Sequence, residues 1–279
     1  MPVIHPSSVV ESGAELADDV VVGPLCYVAA KVRIGAGTRL VSHVTVLGRT
    51  TIGRHNLFWP HTTAGGDPQD LKFRGEDSQL IIGDHNEFRE NVTLHKGTDN
   101  GGGVTRMGSH GLFMIGAHIA HDCLIGDHVI LANSALLAGH VLIEDHAVVS
   151  GATAVHHFVT IGRHAFIGGM TRVIRDCPPY MIVEGMDARV RGVNVIGLER
   201  TGYSPTHIAN LKTAYKLLYR DEADQKQPLT QRLDDLQTRF GDDPNIATLI
   251  TFTQNMVQGL FGRYRETLRT DARHRATVR

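Results

Sequence analysis

Between Met107 and Val173 a large apolar residue occupies every sixth position: Met107, Phe113, Ile119, Ile125, Leu131, Leu137, Ile143, Val149, Val155, Ile161, Ile167 and Val173. A period of six matches neither the helical repeat of about 3.6 nor the two-residue repeat of a half-buried strand. It matches a coil in which each hexad supplies one short strand and a turn, with its lead residue pointing inward. If three hexads close one triangular coil, residues eighteen apart sit one above another at the inter-strand spacing of about 4.8 Å. The same phase runs from Ile4 through Val10, Leu16, Val22, Val28, Ile34, Leu40, Val46 and Ile52 to Phe58.

Two breaks interrupt the pattern. After Ala64 the in-phase positions are Asp70 and Glu76, so residues 65–79 are expected to leave the coil as a polar loop. The phase resumes at Ile82, Phe88 and Leu94, and a second excursion is expected over residues 95–106, around Gly101-Gly102-Gly103. Loops of this size with little structure of their own are often functional. Pro178-Pro179 ends the strand pattern. From Ser204, an N-cap followed by Pro205, the apolar spacing becomes helical, first at Ile208, Leu211, Tyr215 and Leu218. Two further helices are expected around Leu229–Phe240 and Ile246–Leu260. Residues 263–279 hold six Arg against Glu266 and Asp271 and no sustained apolar face, which predicts a flexible basic tail. The expected organisation is mainly β: a parallel β-helix over 1–190, a small α-helical domain over 191–262, and the tail.

Composition narrows the function. A net charge of -1 gives no reason to expect a nucleic acid or an anionic membrane as partner. No run of about eighteen apolar residues occurs, and the N-terminus has neither a basic nor an apolar leader region, so the chain is not expected to be an integral membrane protein. Cys26, Cys123 and Cys177 are odd in number and far apart, which favours a reducing cytoplasm over a disulfide framework.

Histidine is the unusual residue, at 17. Eighteen-residue coils put His121, Gly139 and His157 in one column, with His140 and His156 beside it. Two coils separate His121 from His157, roughly 9.5 Å, a span suited to a cleft that holds a substrate. His43, His55, His85, His110, His128, His146 and His164 read as outward polar residues. Met170 and Phe166 read as packing residues, and Cys123, with no basic activator of its own, as filler.

Ile115-Gly-Ala-His-Ile-Ala-His-Asp-Cys123, followed by Leu131-Ala-Asn133 and Leu137-Ala-Gly-His140, resembles the family of acyl-[acyl-carrier-protein]–UDP-N-acetylglucosamine O-acyltransferases that open lipid A biosynthesis. Pro68-Gln-Asp-Leu-Lys72, Val92-Thr-Leu-His-Lys-Gly-Thr98, Pro178-Pro-Tyr180 and Gly192-Val-Asn194 carry the resemblance along the chain. It implies a left-handed parallel β-helix, a homotrimer with active sites between neighbouring prisms, and transfer of an R-3-hydroxyacyl group from acyl carrier protein to the sugar 3-hydroxyl. No metal or organic cofactor is implied beyond the phosphopantetheine on the carrier.

Transfer from a thioester to an alcohol needs a base for the hydroxyl proton and donors for the oxyanion. A histidine with an ordinary pKa of about 6.5 can accept that proton at neutral pH. The resemblance makes His121 the base, and Asp122 would orient it as a triad carboxylate does. Adjacent strand residues face opposite ways, so the two can meet only at a corner between hexads, and their places in the Ile119 hexad allow this. Gly139, one coil above His121, would offer its N–H to the oxyanion.

The resemblance further implies that His118, His140, His156 and His157 contact substrate, and that Gln69, Asp70, Lys72 and His95 reach into the cleft. Asn194 and Arg200 would bind the nucleotide, and Gly169 would limit acyl length, here leaving the groove long. Ile196 and Thr201 replace residues that are commonly Glu and Arg in the family, so some nucleotide contacts are expected to be missing. Two rival readings are N-acylation of the 3-amino sugar analogue on the same fold and a trimeric zinc enzyme of γ-carbonic anhydrase type, which would use three histidines.

Overall fold

The computed structural model describes residues 1–220 and 227–269. Strands of two to five residues stack into sheets of eleven, nine and eight strands, the three faces of a prism. The fold is mainly β, a left-handed parallel β-helix followed by a small helical region. Pairing partners step by eighteen residues, Ile119 with Leu137 and Leu137 with Val155. The step lengthens to thirty across the first excursion, Phe58 with Phe88, and to twenty-five across the second, Phe88 with Phe113. Twenty-five is one more than a multiple of six, which is why the hexad phase moves by one.

All twelve lead residues from Met107 to Val173 are at most 4% exposed, each worth about 1.5–3 kcal/mol of apolar burial. Phe58, Phe88 and Phe113 stack inside the prism at 4.6 and 4.9 Å. Ile4 keeps the phase but is 41% exposed, its strand being the outermost of its sheet.

The excursions are shorter than the pattern predicts. Thr63–Gly66, Gln79–Ile82 and Val104–Met107 are strands, so the chain leaves the coil only over 67–78 and 96–103. Gln79 and Leu80 pair with Val104 and Thr105, extending one face by two residues where the excursions depart. Nor does a helical region begin at 191: Arg189–Val193 is a strand antiparallel to Met181–Glu184. The helices are α1 (Val195–Arg200), α2 (Pro205–Tyr215), α3 (Leu229–Phe240) and α4 (Pro244–Gln258). Ser204 Oγ caps α2 by accepting from His207 N at 3.2 Å.

The tail expectation is corrected over 263–269. Tyr264–Leu268 is a turn of 3-10 helix, and Arg263 and Glu266 are buried as a pair. Charge neutralised inside the fold takes the place of the missing apolar face. Residues 270–279 lie outside the described residues.

The outward histidines are ordered as well. His55, His85, His110, His128, His146 and His164 stack along one corner, centroids 4.6–5.0 Å apart and planes within 17°. Each has positive φ, between 55° and 60°, a conformation that histidine tolerates better than most side chains. His164 departs from the outward reading: it is buried against Tyr180 and Tyr203. Met170 also departs from its packing role, being 73% exposed on the single chain.

Candidate active site

Asp122 sits at a corner with φ of 61°, so its side chain turns back beside the residue before it. His121 Nδ1 and Asp122 Oδ2 are 2.7 Å apart and both residues are buried. An ionised carboxylate only accepts, so Nδ1 carries the proton, and the lone pair of the neutral ring is at Nε2. Thr98 completes the carboxylate's shell: its N–H donates to Oδ1 at 2.8 Å and its hydroxyl to Oδ2 at 2.7 Å. Asp122 N in turn donates to Thr105 Oγ1 at 2.8 Å. The second excursion thus closes over the carboxylate so tightly that a Cβ on Gly101 would lie 1.9 Å from Asp122 Cγ.

The imidazole of His121 lies against Gly139, where a Cβ would come within 2.5 Å of Cε1 and 2.6 Å of Nε2. The coil register causes this, since His140 N donates to His121 O and Phe158 N to Gly139 O. Among the described residues the Gly139 N–H has no acceptor. His140 packs edge-on to His121 at 5.1 Å and flat on Phe158 at 4.3 Å. Burial holds the His140 imidazolium well below its ordinary range, although the Asp122 carboxylate pulls the other way. Burial also lowers His157, helped by His156 and His121, and lowers His118, helped by His121. His95 is pushed down to about 4 by burial and by His118 and His121. This cluster therefore supplies neutral hydrogen-bonding rings at neutral pH.

Gln69, Asp70, Lys72, His121, His140, His156 and His157 line one cavity of about 330 Å³ with Phe158, Glu266 and Arg269. A contiguous cavity of about 430 Å³ runs on between Asp99–Gly102 and Arg265. His95 and His118 form their own edge-on pair at 4.9 Å, with His118 Nδ1 2.8 Å from Thr93 Oγ1. His95, His118, Gly169, Asn194 and Arg200 do not line these cavities. Gly169 lies on an exposed corner, and Arg200 is exposed at the end of α1. Asn194 is buried and caps α1: Oδ1 accepts from Gly197 N at 3.2 Å, and Nδ2 donates to His164 O at 2.9 Å. Its amide is engaged within the fold.

Thr98, Thr105, Phe158, Arg265 and Arg269 were not legible as site residues. Thr98 closes one of the quoted sequence motifs, and Phe158 stands eighteen residues after His140, so the register could have found both. Nothing in the pattern marks the two arginines. Cys123 is buried, and its thiol is pushed up to about 12 by burial, as suits a packing residue beside the dyad.

The ligand atoms of His121, Asp122 and His140 lie within 4.8 Å of one another, close enough to hold a metal ion. The donor set fits poorly. Asp122 Oδ2 already accepts from the Thr98 hydroxyl and the His121 ring, and a metal there would displace both.

Residues 176–261 match the family model described as UDP N-acetylglucosamine O-acyltransferase, domain 2. The structure resembles LpxA from Acinetobacter baumannii, with 39% identity, TM-score 0.84, and coverage of 89% of this chain and 95% of that one. The UDP-N-acetylglucosamine acyltransferase of Francisella novicida is 35% identical with TM-score 0.85, covering 90% and 91%. The Arabidopsis enzyme is 32% identical with TM-score 0.80, covering 92% and 97%. With identity of 32–39% and likeness over nearly the full length of both chains, this chain belongs to the UDP-N-acetylglucosamine O-acyltransferase family.

Proposed function

We propose that this chain transfers an R-3-hydroxyacyl group from acyl carrier protein to the 3-hydroxyl of UDP-N-acetylglucosamine, the first step of lipid A biosynthesis, with His121 as general base. The observation that carries the base assignment is the 2.7 Å contact between His121 Nδ1 and Asp122, which points the basic Nε2 into a histidine-lined cleft. Nε2 takes the proton as the sugar oxygen attacks the thioester carbon. The oxyanion meets the Gly139 N–H, and Asp122 stabilises the imidazolium. Collapse breaks the C–S bond, and the imidazolium returns its proton to the departing thiolate. Phosphopantetheine arrives and leaves with the carrier, so no resident cofactor takes part.

Gln69, Asp70, Lys72, His95, His118, His140, His156 and His157 position substrate around this centre, and Lys72 is a suitable diphosphate donor. Arg200 and Gly169 are exposed and contact substrate when a neighbouring chain brings its cleft to them, as in a homotrimer, and Asn194, its amide engaged in the fold, acts there by capping the helix that carries Arg200. Leu136 and Met170, 49% and 73% exposed on the single chain, give such an assembly an apolar contact. A cytoplasmic location fits this use of acyl carrier protein. Among the described residues no helix is long and apolar enough to cross a membrane.

The test is transfer by wild type and His121→Ala, with metal content measured on the same samples. Wild-type transfer unaffected by chelation, falling on the order of 10²–10⁴-fold in the variant, is expected. No transfer at any chain length, with about one zinc per chain, overturns the proposal in favour of the zinc enzyme. Offering the 3-amino sugar in parallel separates O- from N-acylation.

A further inference from the structure

The family model ends at residue 261, yet the chain continues and returns to the cleft. Gly262 O accepts from Asp176 N, and Tyr264 N donates to Asp176 Oδ2, both at 2.8 Å. The same carboxylate accepts from Thr160 N at 2.7 Å, which ties this segment to the last coil. Arg263 donates to Ile174 O and to Glu266 Oε2, each at 2.7 Å. Arg265 and Arg269 are then set at the cleft. Arg269 lies over the Phe158 ring at 4.8 Å and reaches both cavities, and Arg265 lines the larger one opposite Asp99–Gly102.

We propose that Gly262–Arg269 is a strap that completes the reaction cleft, and that its Arg265 and Arg269 bind a phosphoryl group of a substrate. The strap carries three arginines against one glutamate. Arg263 pairs with Glu266 inside the fold and Arg269 also reaches Glu266 Oε1 at 3.8 Å, so one glutamate is shared and the segment keeps a positive excess on the side of Arg265 and Arg269. Lys72 adds a third cation to the same wall, against Asp70 and Asp99. A guanidinium's planar fork matches phosphoryl oxygens, and a side chain already held over an aromatic ring loses less further freedom on binding. Burial holds Arg265 below its ordinary value, the mark of a cation that gains from an incoming anion. Two substrate groups have this chemistry: the diphosphate of the nucleotide sugar and the phosphodiester of the carrier's phosphopantetheine. The inference rests on the function proposed above.

The experiment is steady-state transfer with each substrate varied separately, at low and high salt, for wild type, Arg265→Ala, Arg269→Ala and Arg269→Lys, with melting temperatures. The expected result is a KM raised about tenfold or more for one substrate in the alanine variants, with kcat and melting temperature changed far less. Lys at 269 recovers part of the loss, and the alanine variants lose part of the salt dependence of that KM. A rise for the nucleotide sugar identifies the diphosphate, and a rise for the carrier identifies the phosphodiester. Both KM values within twofold of wild type in every variant, or losses that only follow a lowered melting temperature, overturn the strap's binding role and leave the family reaction standing. A wild type that transfers nothing overturns the reaction itself, and this inference with it.

Discussion

Gly139 is the position where one added methyl group tests the proposed base most directly. In Gly139→Ala the new Cβ lies 2.5 Å from His121 Cε1, so the imidazole must leave its place beside Asp122. Transfer is expected to fall on the order of 100-fold or more, while the melting temperature stays near wild type because His121 has the open cleft to move into. Thr98→Val removes the hydroxyl that donates to Asp122 Oδ2 and leaves the aspartate's other partners. A stability loss of about 1–3 kcal/mol and a reduced kcat at nearly unchanged KM are expected from denaturant titration and steady-state kinetics. Cys123 offers a contrasting check: with its thiol pushed up to about 12 by burial, it should resist alkylation at pH 8 until the chain unfolds, as peptide mapping of the labelled protein would reveal.

The stacked histidine column links one corner of the prism to pH. His164 is held down to about 4, first by burial and then by His146 and Arg163, against the opposite pull of Asp145. Tyr180 and Tyr203 cover its other side. His146 is lowered by burial and His128, against Asp145 and Asp127. The fold therefore favours neutral rings. Its gain is complete above the unfolded histidine value of about 6.5 and is lost as pH falls from there toward 4. Between pH 7 and pH 5, wild type should lose about 1–2 kcal/mol more than His164→Phe, measured from urea midpoints. Equal losses in the two proteins would remove His164 from the account. At the far end of the prism, Asp176→Ala strips the acceptor from Thr160 N and Tyr264 N, costing about 1–3 kcal/mol, and should expose residues 262–269 to hydrogen exchange.

For the whole molecule, light scattering is expected to give three chains of 30.5 kDa per particle, and a monomer with full activity would refute the closed assembly. The prism could be read in advance because its core is built from one rule repeated: a buried lead residue every six positions, visible wherever the chain keeps phase. The repeat also put His121 in one column with Gly139 and His157 and allowed it to meet Asp122 at a corner, while the roles proposed for the pair came from the motif resemblance. Arg265 and Arg269 were not legible, because no period marks them. Their anchors are single polar contacts to residues such as Asp176, 88 positions away from Tyr264. Local periodicity thus determined the coil and its register and allowed His121 and Asp122 to meet at a corner, because burial is enforced residue by residue along the chain. Only the folded chain decided which loops close over Asp122 and how the C-terminal arginines reach the cleft, because those placements depend on charges and hydrogen bonds between segments remote in sequence.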